Sequence, residues 1–305
     1  MTEAPIDARY GAPPPDLVMD DASGPRIQLS PFAPGSTALE TVPDGGLASL
    51  VMLAPPGSLE RRYVLAHGLR ALAPGGRLVA LAPKDKGGAR LAGELQAFGC
   101  APAESFRRRH RICILDRPAG DLNLQPAMDV GAVRIAPELD LWSQPGVFSW
   151  DRLDPGSRLL MDVLPPLAGN GADLGCGIGI LSRHVLRSEK VESLTLVDID
   201  RRAVDCARRN VTDPRASLLW ADALTPPLGP LDFVVCNPPF HAEGSESREL
   251  GQDFIRAARR ALRKGGTLWL VANRHLPYEA VLGAAFRRVE ARADKGGYKV
   301  VEAVA

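Results

Sequence analysis

The sequence lacks the long apolar run that a membrane helix needs: no stretch of its 305 residues approaches about 20 uninterrupted apolar side chains. A helical membrane protein is thereby excluded. Nor does Met1-Thr2-Glu3-Ala4-Pro5, with an acid and a proline, resemble the basic end and apolar core of a secretory leader. Cysteine is scarce. Cys100, Cys113, Cys176, Cys206 and Cys236 are odd in number, widely spaced and free of any Cys-x-x-Cys pair, which argues against both a disulfide framework and a zinc site. The expectation is a cytoplasmic protein with no metal. An excess of one charge is also missing, because 37 Lys and Arg stand against 36 Asp and Glu. Any nucleic-acid contact must therefore come from local patches.

Such patches exist. Arg107-Arg108-Arg109-His110-Arg111, Arg201-Arg202, Arg208-Arg209, the series Arg256, Arg259, Arg260, Arg263 and Lys264, and Arg287-Arg288 could face one phosphate backbone. Taken singly, each also reads as an ordinary solvated face. The remaining composition, 45% apolar and 24% charged, is that of a soluble globular chain. Its length suits two domains of about 100–150 residues each.

The first fifty residues, rich in Pro, Gly, Ala and Asp, predict a loosely ordered start, with Pro13-Pro14-Pro15 and Asp44-Gly45-Gly46 as extended or turning chain. An α/β alternation then begins: a strand over Leu50 to Leu53, a helix over Leu59 to Leu72, the Gly75-Gly76 turn and a strand over Arg77 to Leu81. The pattern recurs 190 positions later, Arg70-Ala71-Leu72 with Gly75-Gly76 and Leu78 matching Arg260-Ala261-Leu262 with Gly265-Gly266 and Leu268. The first copy has no glycine-rich strand-to-helix turn and no acid-ended strand, so it reads as a worn duplicate. Between the copies few segments are periodic, and the boundary is expected near residue 130, giving domains 1–130 and 131–305. In the second, a helix over Pro155 to Leu164 capped by Asp154 or Ser157 precedes strands at 171–174, 193–197, 217–220, 232–236 and 267–271 and a terminal hairpin around Lys295-Gly296-Gly297. Parallel strands joined by helices make a doubly wound sheet, with one antiparallel strand from the hairpin.

Chemistry concentrates at three strand ends. Gly175, Gly177 and Gly179, directly after a strand, permit a sharp turn and bring backbone N–H groups close to a ligand, serving dinucleotides and S-adenosylmethionine alike. Asp198, ending the next strand, can accept from ribose hydroxyls, while Asp200 falls past the strand end and caps the following helix. Trp220-Ala221-Asp222-Ala223 offers a carboxylate for an adenine amino group, or a plain turn aspartate. Asn237-Pro238-Pro239-Phe240 decides between the cofactors. Methylating an exocyclic amine requires drawing a delocalised lone pair toward sp³ geometry, and the Asn237 amide oxygen with the Pro238 carbonyl can accept the two amine hydrogens. Proline stiffens these acceptors, and Phe240 can stack on a base. No strong general base is needed. His241 reads as a hydrogen-bonded or phosphate-facing group rather than a proton shuttle, and Cys176 and Cys236 as small buried packers.

With these residues in view, the chain resembles the ribosomal RNA guanine-N2 methyltransferases typified by small subunit methyltransferase C. The likeness rests on Gly146-Val147-Phe148-Ser149 with Leu153-Asp154-x-Gly156-Ser157-x-Leu159-Leu160, on Asp173-Leu174-Gly175-Cys176-Gly177-Ile178-Gly179, on Asn237-Pro238-Pro239-Phe240-His241, and on Val271-Ala272-Asn273 with Leu276-Pro277-Tyr278. It covers residues 140–305. It implies tandem Rossmann-like methyltransferase domains, a mostly parallel seven-stranded sheet in the second, and a degenerate, smaller first copy that has lost the cofactor and aids RNA binding or folding. It further implies S-adenosylmethionine as cofactor, held by Asp173, Gly175, Gly177, Gly179, Asp198, Ile199, Asp222, Ala223 and Asn237. Catalysis would fall to Asn237, Pro238 and Phe240, and substrate binding to Phe148, Phe240 and His241. The partner would be ribosomal RNA or the small subunit, met by a monomer without membrane contact. The first half looks shorter than is usual in the family.

Rival readings keep the fold and change the acceptor: large-subunit guanine N2, adenine N6 in DNA, or a glutamine amide. Phe240 in place of tyrosine and the lack of a DNA target-recognition insert weigh against the last two. A non-catalytic RNA-binding assembly factor would retain the pocket without using it. A nicotinamide dehydrogenase leaves Asn237-Pro238-Pro239-Phe240 without a task.

Overall fold

The computed structural model describes residues 5–17, 26–239 and 245–305, and of 245–248 the backbone only. The chain divides into two compact units, Met1–Val133 and Arg134–Ala305.

The first unit contains β1 (Ile6–Tyr10), β2 (Ile27–Gln28), β3 (Leu47–Leu53), α1 (Ser58–Ala71), β4 (Leu72–Pro83), α2 (Ala89–Ala97), β5 (Ala103–Arg107), β6 (His110–Asp116) and α3 (Gln125–Gly131). Its six-stranded sheet runs β2-β1-β3-β4-β6-β5, parallel up to β4 and antiparallel beyond. Alternation along the strands separates two faces. Leu50, Met52, Leu78 and Ala80 meet Val64, Leu65 and Leu69 of α1 and Leu91 and Leu95 of α2 in the main core. Val51, Val79, Leu81 and Ile112 gather on the other face with Leu17. The start of the chain corrects the expectation of loose order, for β1 and β2 complete the sheet and Ala8, Tyr10, Leu29, Leu39 and Leu47 are buried. Strands of five and two residues leave too few alternations to stand out from their Pro- and Gly-rich surroundings, and pairing with β3 is what orders them.

The second unit contains β7 (Arg134–Ala136), β8 (Leu141–Ser143), α4 (Pro155–Val163), β9 (Gly169–Leu174), α5 (Ile180–Val185), β10 (Val191–Asp198), α6 (Arg201–Asn210), β11 (Ala216–Trp220) and β12 (Leu231–Cys236). There follow α7 (Ser245–Ala261), β13 (Leu262–Asn273), α8 (Glu279–Ala285), β14 (Arg288–Lys295) and β15 (Tyr298–Val304). The seven strands run β11-β10-β9-β12-β13-β15-β14, and only β15 opposes the others. Again the two faces are distinct: Ala172, Leu174, Val234 and Cys236 pack with Phe254, Ile255 and Leu282 of α7 and α8. Leu194, Leu196, Phe233 and Val235 pack with Leu160, Leu181 and Ala207 of α4, α5 and α6. Helices on both faces make this the doubly wound sheet expected, and β7 with β8 forms a separate hairpin.

The duplication is legible in the pairing. Strands β4 and β13 are each 12 residues long and begin 190 positions apart. Gly75 and Gly265 adopt φ of 79° and 80°. Gly75 N–H donates to the Arg117 carbonyl as Gly265 N–H does to that of Ala305, and Arg117 and Ala305 return the bond to Gly76 and Gly266. Removing β11 from the larger sheet leaves the order and directions of the smaller one, so the first unit is a shortened copy.

Candidate active site

The strand order turns back between β9 and β12, the place where an open parallel sheet offers a crevice beyond its carboxyl ends. Leu174 and Cys236 are direct partners across that junction, so Gly175 and Asn237 leave adjacent strand ends side by side. Gly175, Gly177 and Gly179 take φ of 75°, 54° and 88°, a left-handed series that side chains with a Cβ resist. A Cβ on Gly177 would meet no atom within 4 Å, whereas one on Gly179 would lie 2.7 Å from Val211. The first glycine thus opens a space, and the second lets α5 close on α6.

Asp198 ends β10 with both oxygens engaged: Oδ2 accepts from Gly177 N–H at 2.8 Å and Oδ1 from Asp200 N–H at 2.8 Å. It therefore pins the glycine turn. Burial pushes its carboxyl up to about 6, with these backbone donors opposing and Asp200 adding a smaller upward push. Asp173, fully buried in β9, accepts from the Ser182 hydroxyl through Oδ2 at 2.7 Å, and its Oδ1 has no partner. Burial holds its carboxyl up at about 7. Asp200 caps α6 and binds Arg202, as its sequence position suggested. Asp222 is exposed one strand further out, its Oδ1 accepting from Leu224 N–H at 2.8 Å, and Ala223 is buried behind it. The Ile199 carbonyl accepts from Trp220 Nε1 at 2.9 Å, tying the ends of β10 and β11.

Asn237 carries the decisive geometry. Its Nδ2 donates to Asp154 Oδ2 at 2.9 Å and to Ser157 Oγ at 2.8 Å, while its Oδ1 is buried with no partner. An acceptor is thus left unused on the residue that follows the strand end paired with Leu174, with both amide hydrogens already engaged. Pro238 is buried and has no N–H, so its carbonyl is its only polar group. Asp154 and Ser157 sit 83 and 80 positions earlier in sequence, where each reads as a candidate cap of α4 and neither as a partner of Asn237. The Asp154-x-Gly156-Ser157 stretch was the available signal. Phe148 is 42% exposed, between Gly146 at φ 104° and Ser149 at φ 49°. Phe240 and His241 lie outside the described residues. All five cysteines are buried, and burial raises Cys176 and Cys236 well above the usual thiol range, which leaves no thiolate for covalent attack.

Residues 138–302 match the family described as Methyltransferase small domain. Ribosomal RNA small subunit methyltransferase C of Sodalis glossinidius is 33% identical over 268 residues, 85% of this chain and 75% of that protein. The Yersinia pseudotuberculosis serotype IB protein of the same name is 31% identical over 310 residues, 93% of this chain and 86% of its own. The chain belongs to the ribosomal RNA small subunit methyltransferase C family. A structure of the T. thermophilus 16S rRNA N2 G1207 methyltransferase (RsmC) in complex with AdoMet and guanosine aligns at a TM-score of 0.73 and 26% identity. The alignment spans 87% of this chain and 75% of that one. Membership makes the chain an S-adenosylmethionine-dependent methyltransferase, and its residues fit that cofactor. The orphaned Asp173 Oδ1 suits a cationic or hydroxyl donor, and the open space at Gly177 admits a ligand to the backbone. Among the described residues no helix is long and apolar enough to cross a membrane, and no cluster of His, Cys, Asp or Glu could hold a metal ion.

Proposed function

We propose that this chain methylates the exocyclic N2 of a guanosine in the 16S rRNA of the small ribosomal subunit. The observation that carries the reading is the unpartnered, buried Asn237 Oδ1 at the strand end next to the glycine turn. S-adenosylmethionine, when bound, supplies a methyl group made electrophilic by its sulfonium. Gly175, Gly177 and Gly179 give the backbone room to approach it, with Asp173, Asp198, Ile199, Asp222 and Ala223 around it as acceptors and walls. Asn237 Oδ1 and the Pro238 carbonyl accept the two hydrogens of the target amine, turning its lone pair out of conjugation and toward the methyl. No side chain has to remove a proton beforehand, because the amine's extra proton becomes acidic once the new bond exists. Phe240, His241 and Phe148 are the candidates for holding the base.

The smaller unit contributes RNA affinity. At the tip of the β5–β6 hairpin Arg108 and Arg109 adopt φ of 44° and 62°, a strained conformation for arginine, and Phe106 is 53% exposed beside them. Arg108 pairs with Asp16 and Arg111 with Glu104. Arg107 and Arg109 have no ion-pair partner among the described residues and suit a phosphate backbone. The enzyme works in the cytoplasm, as a monomer.

The test is transfer of labelled methyl from S-adenosylmethionine into 16S rRNA and into small subunits, followed by nucleoside analysis for N2-methylguanosine. Asn237→Ala removes one preorganised acceptor and lowers kcat by about 10²-fold or more. Large-subunit RNA, DNA and a glutamine-bearing release factor, offered in parallel, remain unmethylated. A folded, cofactor-binding protein that labels none of these substrates would return the reading to an assembly factor.

A further inference from the structure

An asparagine amide is ambidextrous. One face offers an oxygen, the other two N–H groups, and the two differ by a half-turn about the last side-chain bond. A target amine presents only hydrogens to its anchor, so a site built on Asn237 works only while Oδ1 faces the cleft. The chain contains a device that fixes this sense. Asp154 and Ser157, at the two ends of the first turn of α4, both touch Nδ2, at 2.9 Å and 2.8 Å. A serine hydroxyl accommodates either face of the amide. A carboxylate does not, because it only accepts, and turning Oδ1 toward Asp154 would set two oxygens against each other in a buried place.

The same Asp154 Oδ2 also accepts from Ser157 N–H at 2.8 Å, closing α4 at its start. One oxygen therefore caps the helix and orients the amide, and the cap holds Ser157 where its hydroxyl meets the second hydrogen. Helix α4 packs through Leu160 into the core shared with Phe233 and Val235 of β12, so the clamp and the strand that carries Asn237 stand on one rigid support. We propose that Asp154 and Ser157 are positioning residues that lock the Asn237 amide with its oxygen toward the substrate amine. This rests on the role given to Asn237 above and extends it to two residues that need not touch substrate or cofactor.

Three variants separate orientation from helix stability. Asp154→Ser keeps an N-cap oxygen on a side chain too short to reach Asn237. Ser157→Ala leaves the cap untouched. Asp154→Asn can still accept at the position of Oδ2. Under saturating rRNA and S-adenosylmethionine, Asp154→Ser and Ser157→Ala each lower kcat about 10-fold or more, with the cofactor KM and the melting temperature nearly unchanged. Asp154→Asn recovers most of what Asp154→Ser loses. In an Asn237→Ala background the same two substitutions have no further effect, since the group they orient is gone. A merely structural role would make the losses multiply in that background, and this outcome overturns the proposal. So does a wild-type kcat in both single variants while Asn237→Ala is inactive. Wild-type turnover in Asn237→Ala refutes instead the role of Asn237 itself.

Discussion

Cofactor binding should depend steeply on pH, because two carboxylates at the strand ends are held above their ordinary range. Asp173 stands at about 7 and Asp198 at about 6, in both cases chiefly through burial. A cofactor that brings an ammonium and hydroxyl donors favours the ionised acids. Where binding requires both to be ionised, the affinity falls in proportion to the fraction of each that is ionised. At about pH 5.5 that is about 30-fold for Asp173 and about 4-fold for Asp198, hence about 10²-fold against pH 8. The two acids interact, so the curve belongs to the pair and is broader than either titration alone. Calorimetry across this range should show the dissociation constant falling as pH rises. Near pH 6 protons should be released on binding, seen as a heat that varies with the ionisation enthalpy of the buffer. Stability of the ligand-free protein runs the other way. The folded chain retains protons that the unfolded chain has given up, so this stabilisation is complete below about pH 4 and is lost as pH rises through about 6 and 7. An affinity constant within about twofold from pH 5.5 to 8, without proton release, refutes the assignment of these acids to the cofactor.

Gly179→Ala should lower the melting temperature by an amount equivalent to about 1–3 kcal/mol. Its φ is 88° and the added Cβ would stand 2.7 Å from Val211, while Gly177→Ala, at φ 54° with open space, should lose less. Arg107→Ala combined with Arg109→Ala should weaken binding to 16S rRNA and reduce the slope of log affinity against log salt by about 2, read by filter binding at several ionic strengths.

How much of this could be read in the sequence depends on how local each signal is. The turn at Gly175, Gly177 and Gly179 and the cap at Asp154 declare themselves within a few residues, and the strands around them alternate or run apolar for long enough to be seen. Strand β2, two residues long, has no period to detect, and only its pairing with β1 makes it a strand. The link from Asp154 to Asn237 spans 83 positions, and the capping motif already accounts for the aspartate locally, so nothing in the sequence asks for a second partner. Asp198 shows the same limit. Its place at a strand end suggested a ligand, yet the bond that pins Gly177 comes from β9 and β10 lying side by side.

The duplicated sheets identify which positions of the first copy differ from the candidate site of the second. Pairing registers superimpose residue on residue: Met52 meets Ala80 as Cys236 meets Leu270, and Tyr10 meets Met52 as Leu174 meets Cys236. Leu53 therefore stands where Asn237 stands, Arg9 where Asp173 stands, and Ser30, two residues beyond Gln28, where Asp198 stands. The backbone requirement survives, since Gly11 keeps a φ of 76° at the position of Gly175. Beyond it comes Ala12-Pro13-Pro14-Pro15 in place of a glycine turn, and three successive prolines have no N–H to offer a ligand. Restoring the asparagine alone should therefore accomplish nothing. Leu53→Asn in an Asn237→Ala background should remain as inactive as Asn237→Ala in the methyl-transfer assay, because the acids and the glycine turn that would hold a cofactor are absent from that copy. Recovery of N2-methylguanosine in the double variant would mean that the first unit retains a working cofactor site and that its decay is confined to position 53.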